Sequence, residues 1–217
     1  MYRYRLGITI ILTLVVLVSS GNAQPTTKLG FEGGMNIANG SLSFGSENAK
    51  ISSMVGLVGG AVLDIGLSKL FSLQTELKFI RKGGEEIDNG NGYSIDDKFL
   101  LDYLDVPVLV KFNFPQERYS PHFFMGPDFA FNTGAEEDVL RNDTPIRRWS
   151  SIDINNEVET LNFSFDFGAG VDYSLTEQTT LILDGCYSLG VSNISSSDFA
   201  IASTRDFMIV TGMKFSL

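Results

Sequence analysis

Residues 161–174, LNFSFDFGAGVDYS, alternate between two faces almost without fault. Leu161, Phe163, Phe165, Phe167, Ala169, Val171 and Tyr173 fall on one side, and Asn162, Ser164, Asp166, Gly168, Gly170, Asp172 and Ser174 on the other. Period two is the mark of a β-strand whose faces meet different surroundings. After residue 23, no apolar run reaches the roughly 18–20 residues of a membrane-spanning helix. If such a chain enters a bilayer, every backbone polar group must be paired within it, which leaves a closed barrel as the only solution.

The same alternation predicts eight strands, over 28–38, 52–66, 69–83, 98–114, 121–133, 160–173, 178–192 and 205–217. The connections alternate too. Those at 39–51, 84–97, 134–159 and 193–204 are long, while those at 67–68, 115–120 and 174–177 are short. An up-and-down barrel collects its short turns at one end and its long loops at the other. Outer-membrane barrels have an even strand number, tight periplasmic turns and longer external loops.

The faces say which way the barrel is turned. One gathers large apolar residues such as Phe31, Met35, Leu57, Leu77, Phe79, Val108, Phe123, Phe129, Leu183 and Ile209. The other gathers Lys28, Glu32, Asn36, Asp64, Gln74, Glu76, Lys78, Tyr103, Asp105, Lys111, His122, Asp128, Asp166, Asp172, Asp184 and Lys214, with many glycines. An eight-stranded barrel has an interior just wide enough for side chains to fill. The glycine and charge face fits that space, so the expectation is apolar outside, against lipid, and polar inside. A lipocalin-like soluble barrel would reverse the faces around a ligand, and its water-facing side should then be rich in Lys, Glu and Thr rather than glycine. Aromatics near the strand ends fit two membrane-interface belts, and also the plain strand preference of Phe and Tyr. Pro107 and Pro127 each remove a ladder donor at nearly the same height, and the expectation is a shared bulge there.

Residues 1–23 read as a separate segment. MYRYR, an apolar run and the small residues Gly21 and Ala23 make a secretory signal peptide, with cleavage expected after Ala23 and a mature barrel domain over 24–217. The whole chain has 16 Lys+Arg against 26 Asp+Glu, a formal charge of −10. Losing Arg3 and Arg5 with the leader takes it to −12. Nucleic acid is excluded as a partner on that balance, since phosphate binding needs a basic footprint. The single cysteine, Cys186, allows no internal disulfide. Tight pairing of the flanking strands would set it opposite Asp166.

The stretches LGFEGGMNIA, LQTELKFIRKGG, YLDVPVLVKF, MGPDFAF and FGAGVDY together resemble the PorT-like outer-membrane β-barrel family common in Bacteroidetes, over about 28–217. Two departures are modest. Thr75 stands where a proline often precedes the glutamate matched by Glu76, and Asp105-Val106-Pro107 stands where Glu-Ile-Pro is frequent. The resemblance implies an outer-membrane location, outer-membrane lipid as surroundings and, through the founding member, a role near secretion. A shared barrel does not carry that role over.

Chemistry is sparse. His122 is the only histidine, it follows a short turn, and no G-x-S-x-G accompanies it. One histidine and one cysteine cannot make a typical zinc shell. The stretch 88–97, DNGNGYSIDD, lacks the spacing of a calcium loop and reads as a solvated turn. No metal or cofactor is expected. Glu32, Glu76, Asp105, Asp128, Asp166 and Asp184, with Lys78, Lys111 and Lys214, read as an ion-paired lumen plug. The 134–159 loop holds the only tryptophan, Trp149, beside Arg147 and Arg148, a residue set frequent at binding hot spots. The expectation is an all-β, eight-stranded transmembrane barrel without enzymatic activity, structural or partner-binding, with a protein partner in the outer membrane or at the cell surface. Two alternatives stand beside it: a narrow channel for ions or small solutes, and a lipocalin-like periplasmic binder.

Overall fold

The computed structural model describes residues 26–44, 47–50, 52–90, 93–143, 146–153, 159–192 and 200–217. The expected leader, 1–23, lies outside them. The strands in chain order are β1 Thr27–Phe44, β2 Glu47–Lys50, β3 Ser52–Gly66, β4 Phe71–Gly90, β5 Tyr93–Asn113, β6 Tyr119–Asp143, β7 Ile146–Asp153, β8 Leu161–Ser174, β9 Thr179–Gly190 and β10 Ala200–Ser216. Eight of them form the wall in the order β1, β3, β4, β5, β6, β8, β9, β10, each antiparallel to its neighbours. The wall closes where β10 pairs with β1, from Lys28↔Ser216 to Phe44↔Ala200. β2 and β7 pair only with β1 and β6 among the described residues, at the end away from the short turns.

The short turns are local chemistry. The hydroxyl of Ser68 accepts from the amides of Leu70 and Phe71, at 3.3 and 3.0 Å. Thr176 does the same for Gln178 and Thr179, at 3.2 and 3.0 Å. Such side-chain bonds reverse the chain without a ladder. The long connections differ from expectation. β4 and β5 continue as a hairpin to Gly90 and Tyr93, and β6 runs to Asp143 before returning as β7. The stretches read as loops at 84–97 and 134–159 are thus largely strand, paired beyond the apolar band.

The apolar face points outward, with Phe31, Met35, Val55, Leu57, Phe123, Met125 and Leu183 among its most exposed members. Rings pack along its lower edge. Phe112 lies 5.0 Å from Phe71 and 4.7 Å from Phe114, and Phe114 lies 6.1 Å from Phe123. Phe129 and Phe163 pair at 5.5 Å nearer the opposite edge. The polar face lies inside, the reverse of a water-soluble core, and only lipid makes that arrangement stable. The interior is less purely polar than expected. Val62, Ile80, Tyr103, Leu109, Phe124, Ile182 and Met208 are fully enclosed between the charged residues. Inward glycines make room for them. A Cβ on Gly168 would run into the Phe124 ring, and one on Gly212 into the Phe31 carbonyl oxygen.

The expected proline bulge is not where the register shifts. Pro107 pairs with Asp128, so the two prolines do lie one position apart, but the pairing keeps one register across them. The ladder is merely interrupted there, since proline has no amide hydrogen to give. On the β4 side the hydroxyl of Thr75 donates to the Pro107 carbonyl at 3.0 Å. The shift falls higher up. Asp102 pairs with Gly134 and Tyr103 with Asn132, leaving Thr133 as the extra residue, its hydroxyl donating to the Asp102 carbonyl at 3.1 Å. One extra residue exchanges the faces of β6 beyond it. Ala130 and Ala135, of opposite parity, are accordingly both buried.

Candidate functional site

Inward-facing charges fill the barrel, and strand parity places them there. Each of Glu32, Glu76, Lys78, Asp105, Lys111, Asp128, Asp166, Asp184 and Lys214 is buried. Asn162 and Ser164, read on the polar face of their strand, join them, as do Lys82, Asp206 and Ser188, which were not singled out from the sequence. The signal was available: Lys82 has the parity of Lys78 on β4, and Asp206 that of Lys214 on β10.

At the short-turn end the charges interlock. Lys214 Nζ lies 2.9 Å from both Asp64 Oδ2 and Asp172 Oδ2. Lys111 Nζ lies 3.3 Å from Asp172 Oδ2 and 3.5 Å from Asp64 Oδ2, and donates to Gln74 Oε1 at 3.3 Å. His122 Nε2 meets Asp184 Oδ1 at 2.9 Å, and its Nδ1 lies 3.2 Å from the Ser120 carbonyl. Three carboxylates thus face two lysines and a histidine. A cavity of about 280 Å³ opens below them, lined among others by Lys28, Asp64, Ser72, Asn113, Tyr119 and Asp172. Lys28 reaches from its rim to the Thr180 hydroxyl at 3.1 Å.

Gln74 links the two halves, donating to Glu76 Oε1 at 2.6 Å. Above it, Lys78 pairs with Glu76 at 2.8 Å. Lys82 reaches Asp206 at 3.0 Å and Asp105 at 3.4 Å, and stands 5.4 Å from the centre of the Tyr103 ring. The Ser164 hydroxyl donates to Asp128 Oδ2 at 3.1 Å, and Asn162 donates to the Tyr103 hydroxyl at 3.2 Å. Here six carboxylates, on Glu32, Glu76, Asp105, Asp128, Asp166 and Asp206, share two buried lysines. Asp105 is held only by the longer contact with Lys82, with neither oxygen hydrogen-bonded.

Cys186 is buried, opposite Gly168 on β8 and Met208 on β10. Asp166 instead faces Ser188, because the four-residue turn 175–178 sets the pairing two positions from the expected one. On the outside, Arg81 and Asp102 form a two-pronged ion pair at 2.7 Å per contact, just beyond Phe79 at the upper edge of the apolar band. Arg147, Arg148 and Trp149 lie on β7, where they pair with Asn142, Arg141 and Leu140, and their side chains fall outside the described part. The lumen and the β7 arm are therefore separate candidate sites.

Solved structures share this architecture. OprG, an outer membrane protein from Pseudomonas aeruginosa, superposes with a TM-score of 0.50 over 91% of this chain and 99% of its own, at 9% identity. Neisserial surface protein A matches at 0.43 and 11% identity over 85% of this chain and 96% of its own. The outer membrane protease OmpT from Escherichia coli matches at 0.39 and 10% identity over 88% and 97%. The expectation of a protein without enzymatic activity is corrected to an open one, since a barrel of this kind is compatible with catalysis as well as with its absence. No curated protein matches the chain. With a family model matched over residues 22–196, an apolar belt outside and a closed eight-stranded wall, the chain belongs to the outer membrane protein beta-barrel domain family and sits in outer-membrane lipid.

Proposed function

We propose that the barrel is a membrane anchor for an external β-sheet arm that docks a protein partner at the cell surface. The observation that carries this is strand length. Crossing a bilayer takes about 9–11 residues of tilted strand. β4, β5 and β6 have 20, 21 and 25 residues, and β7 adds an outer strand to β6. Their excess stands at the long-loop end, which is external in barrels of this kind. An outer strand offers backbone groups for strand addition, and Arg147, Arg148 and Trp149 supply residue types that anchor interfaces. The resemblance to the PorT-like family supports a Bacteroidetes-type, secretion-related or assembly-related setting. The leader 1–23 would deliver the chain and be cleaved after Ala23, leaving 24–217 as the barrel domain.

The test is crosslinking in whole cells with the mature chain tagged at Gln24. A stoichiometric partner, lost when residues 137–153 are replaced by a short turn, is the expected result. Recovery of the barrel alone, with outer-membrane insertion intact, overturns the docking role. The channel reading has less support, because Lys111, Lys214 and His122 fill the short-turn half of the lumen with side chains that are fully buried.

A further inference from the structure

The external arm is acidic over most of its length, and its basic residues gather at one edge. Residues 84–97 of the β4–β5 hairpin hold Glu85, Glu86, Asp88, Asp96 and Asp97 and no Lys or Arg. On β6, Glu136, Glu137 and Asp138 pair with 151–153, the part of β7 nearer the membrane. The bases of the segment 134–153 are Arg141, Arg147 and Arg148, and all three fall in the upper part of the β6–β7 hairpin. Arg148 stands directly opposite Arg141 in register. Like charges at one rung of a ladder destabilise it, and an anionic neighbour removes that cost.

β7 is the last strand of this sheet. It pairs with β6 over all eight residues, Ile146–Asp153, with no shift of register and no proline. No strand pairs with its other edge among the described residues. An unbroken edge of this kind is a template for a further strand. Strand period selects the kind of anion. Arg147 and Arg148 are consecutive, so they belong to opposite faces of the sheet. A single phosphate meets one face only, whereas a strand with consecutive carboxylates meets both. Spacing decides the charge balance. A strand added to β7 lies about 4.8 Å from it and about 14 Å from β5. The second distance exceeds the Debye length of about 8 Å at physiological salt, so the β5 acids repel it only weakly.

We propose that the outer edge of β7 takes an extended acidic segment of a partner protein, added as a strand with consecutive carboxylates opposite Arg147 and Arg148. This rests on the docking role of the arm and names the chemistry of the partner.

The experiment refolds the mature chain in detergent micelles and titrates it with nitroxide-labelled peptides. A nitroxide quenches tryptophan only at short range, and Trp149, on β7, is the only tryptophan. The acidic probe is Thr-Val-Thr-Val-Glu-Glu-Thr, and the basic one carries Lys-Lys in place of Glu-Glu. The acidic peptide should quench Trp149 with saturation, and the basic one should not. Arg147→Glu with Arg148→Glu should weaken the acidic peptide about tenfold and let the basic one bind. If that variant fails to fold, Arg147→Gln leaves the Arg141–Arg148 rung untouched and should weaken the acidic peptide several-fold. An acidic peptide N-methylated at alternate residues keeps its charge, loses its strand donors and should not bind. Equal quenching by the acidic and basic peptides overturns the proposal, as does no quenching at millimolar peptide or an affinity unmoved by the arginine variants. Equal binding of the N-methylated peptide also overturns it, because the edge then holds any anion, a lipid phosphate included. A cell-surface partner that is crosslinked through residues 137–153 while these peptide tests fail leaves the docking role standing and removes only this inference.

Discussion

The two halves of the lumen are made from the same residue types and reach opposite electrostatic states. Near the short turns, Asp64 and Asp172 each touch both Lys111 and Lys214, and His122 covers Asp184. Above, Lys82 is stretched between Asp105 and Asp206, and Lys78 is held by Glu76. The lower half closes the barrel with paired charge. The upper half sets six carboxylates against two lysines. A lumen that merely needed filling would use uncharged side chains throughout, as the enclosed Leu109, Phe124 and Ile182 already do in part.

The comparison breaks most sharply at Lys214. Lys214→Met leaves Lys111 as the one lysine on Asp64 and Asp172, and removing one partner of a buried ion pair costs about 3–5 kcal/mol. Urea unfolding in vesicles should show a loss of that order. A loss below about 1 kcal/mol would mean that the lower half is wet rather than interlocked. Gly212→Val tests the crowding both halves share. Its side chain would meet the Phe31 carbonyl across the β1–β10 seam, and overpacking of this kind costs about 1–3 kcal/mol. The readout is the unfolding midpoint together with the heat-modifiable gel shift of the folded barrel.

Asp166→Asn carries the opposite sign. It thins the crowd of buried carboxylates in the upper half, and stability should rise by about 1 kcal/mol. Asp172→Asn under the same conditions should fall, because that carboxylate holds two lysines. If both substitutions move stability the same way, the contrast between the halves is lost. The smallest effect belongs to Arg81→Ala. Its ion pair with Asp102 is half-exposed on the outer face, where such pairs contribute about 0–1 kcal/mol. Unfolding should barely change.

Much of this was legible because strand parity is a strict code. Phe163 to Tyr173 outward and Asp166 to Asp172 inward can be read directly from residues 161–174. Ser68 and Thr176 mark the short turns through bonds made within three residues. The long connections were less legible. Polar residues at 84–97 and 134–143 carry no apolar alternation, so nothing local signals that they pair with each other as strands beyond the membrane. The bulge was misplaced for a related reason. Proline announces a missing donor, but Thr133 is an ordinary strand residue, and only the pairing of β5 with β6 shows it to be the extra one.

The sequence by itself determined the barrel, the inward and outward faces, the even strand number and the end at which the turns are short. These follow from period two and from the alternation of connection lengths, both of which are local. The tertiary structure decided which acid meets which base. Lys214 and Asp64 are 150 positions apart and meet only because β10 closes on β1 in one register, with β3 alongside. Shifting that register by two residues would keep every side chain on its face and change every ion pair in the lumen. Charge balance inside a barrel is thus a property of closure, and it is closure that leaves the lower half paired and the upper half in surplus.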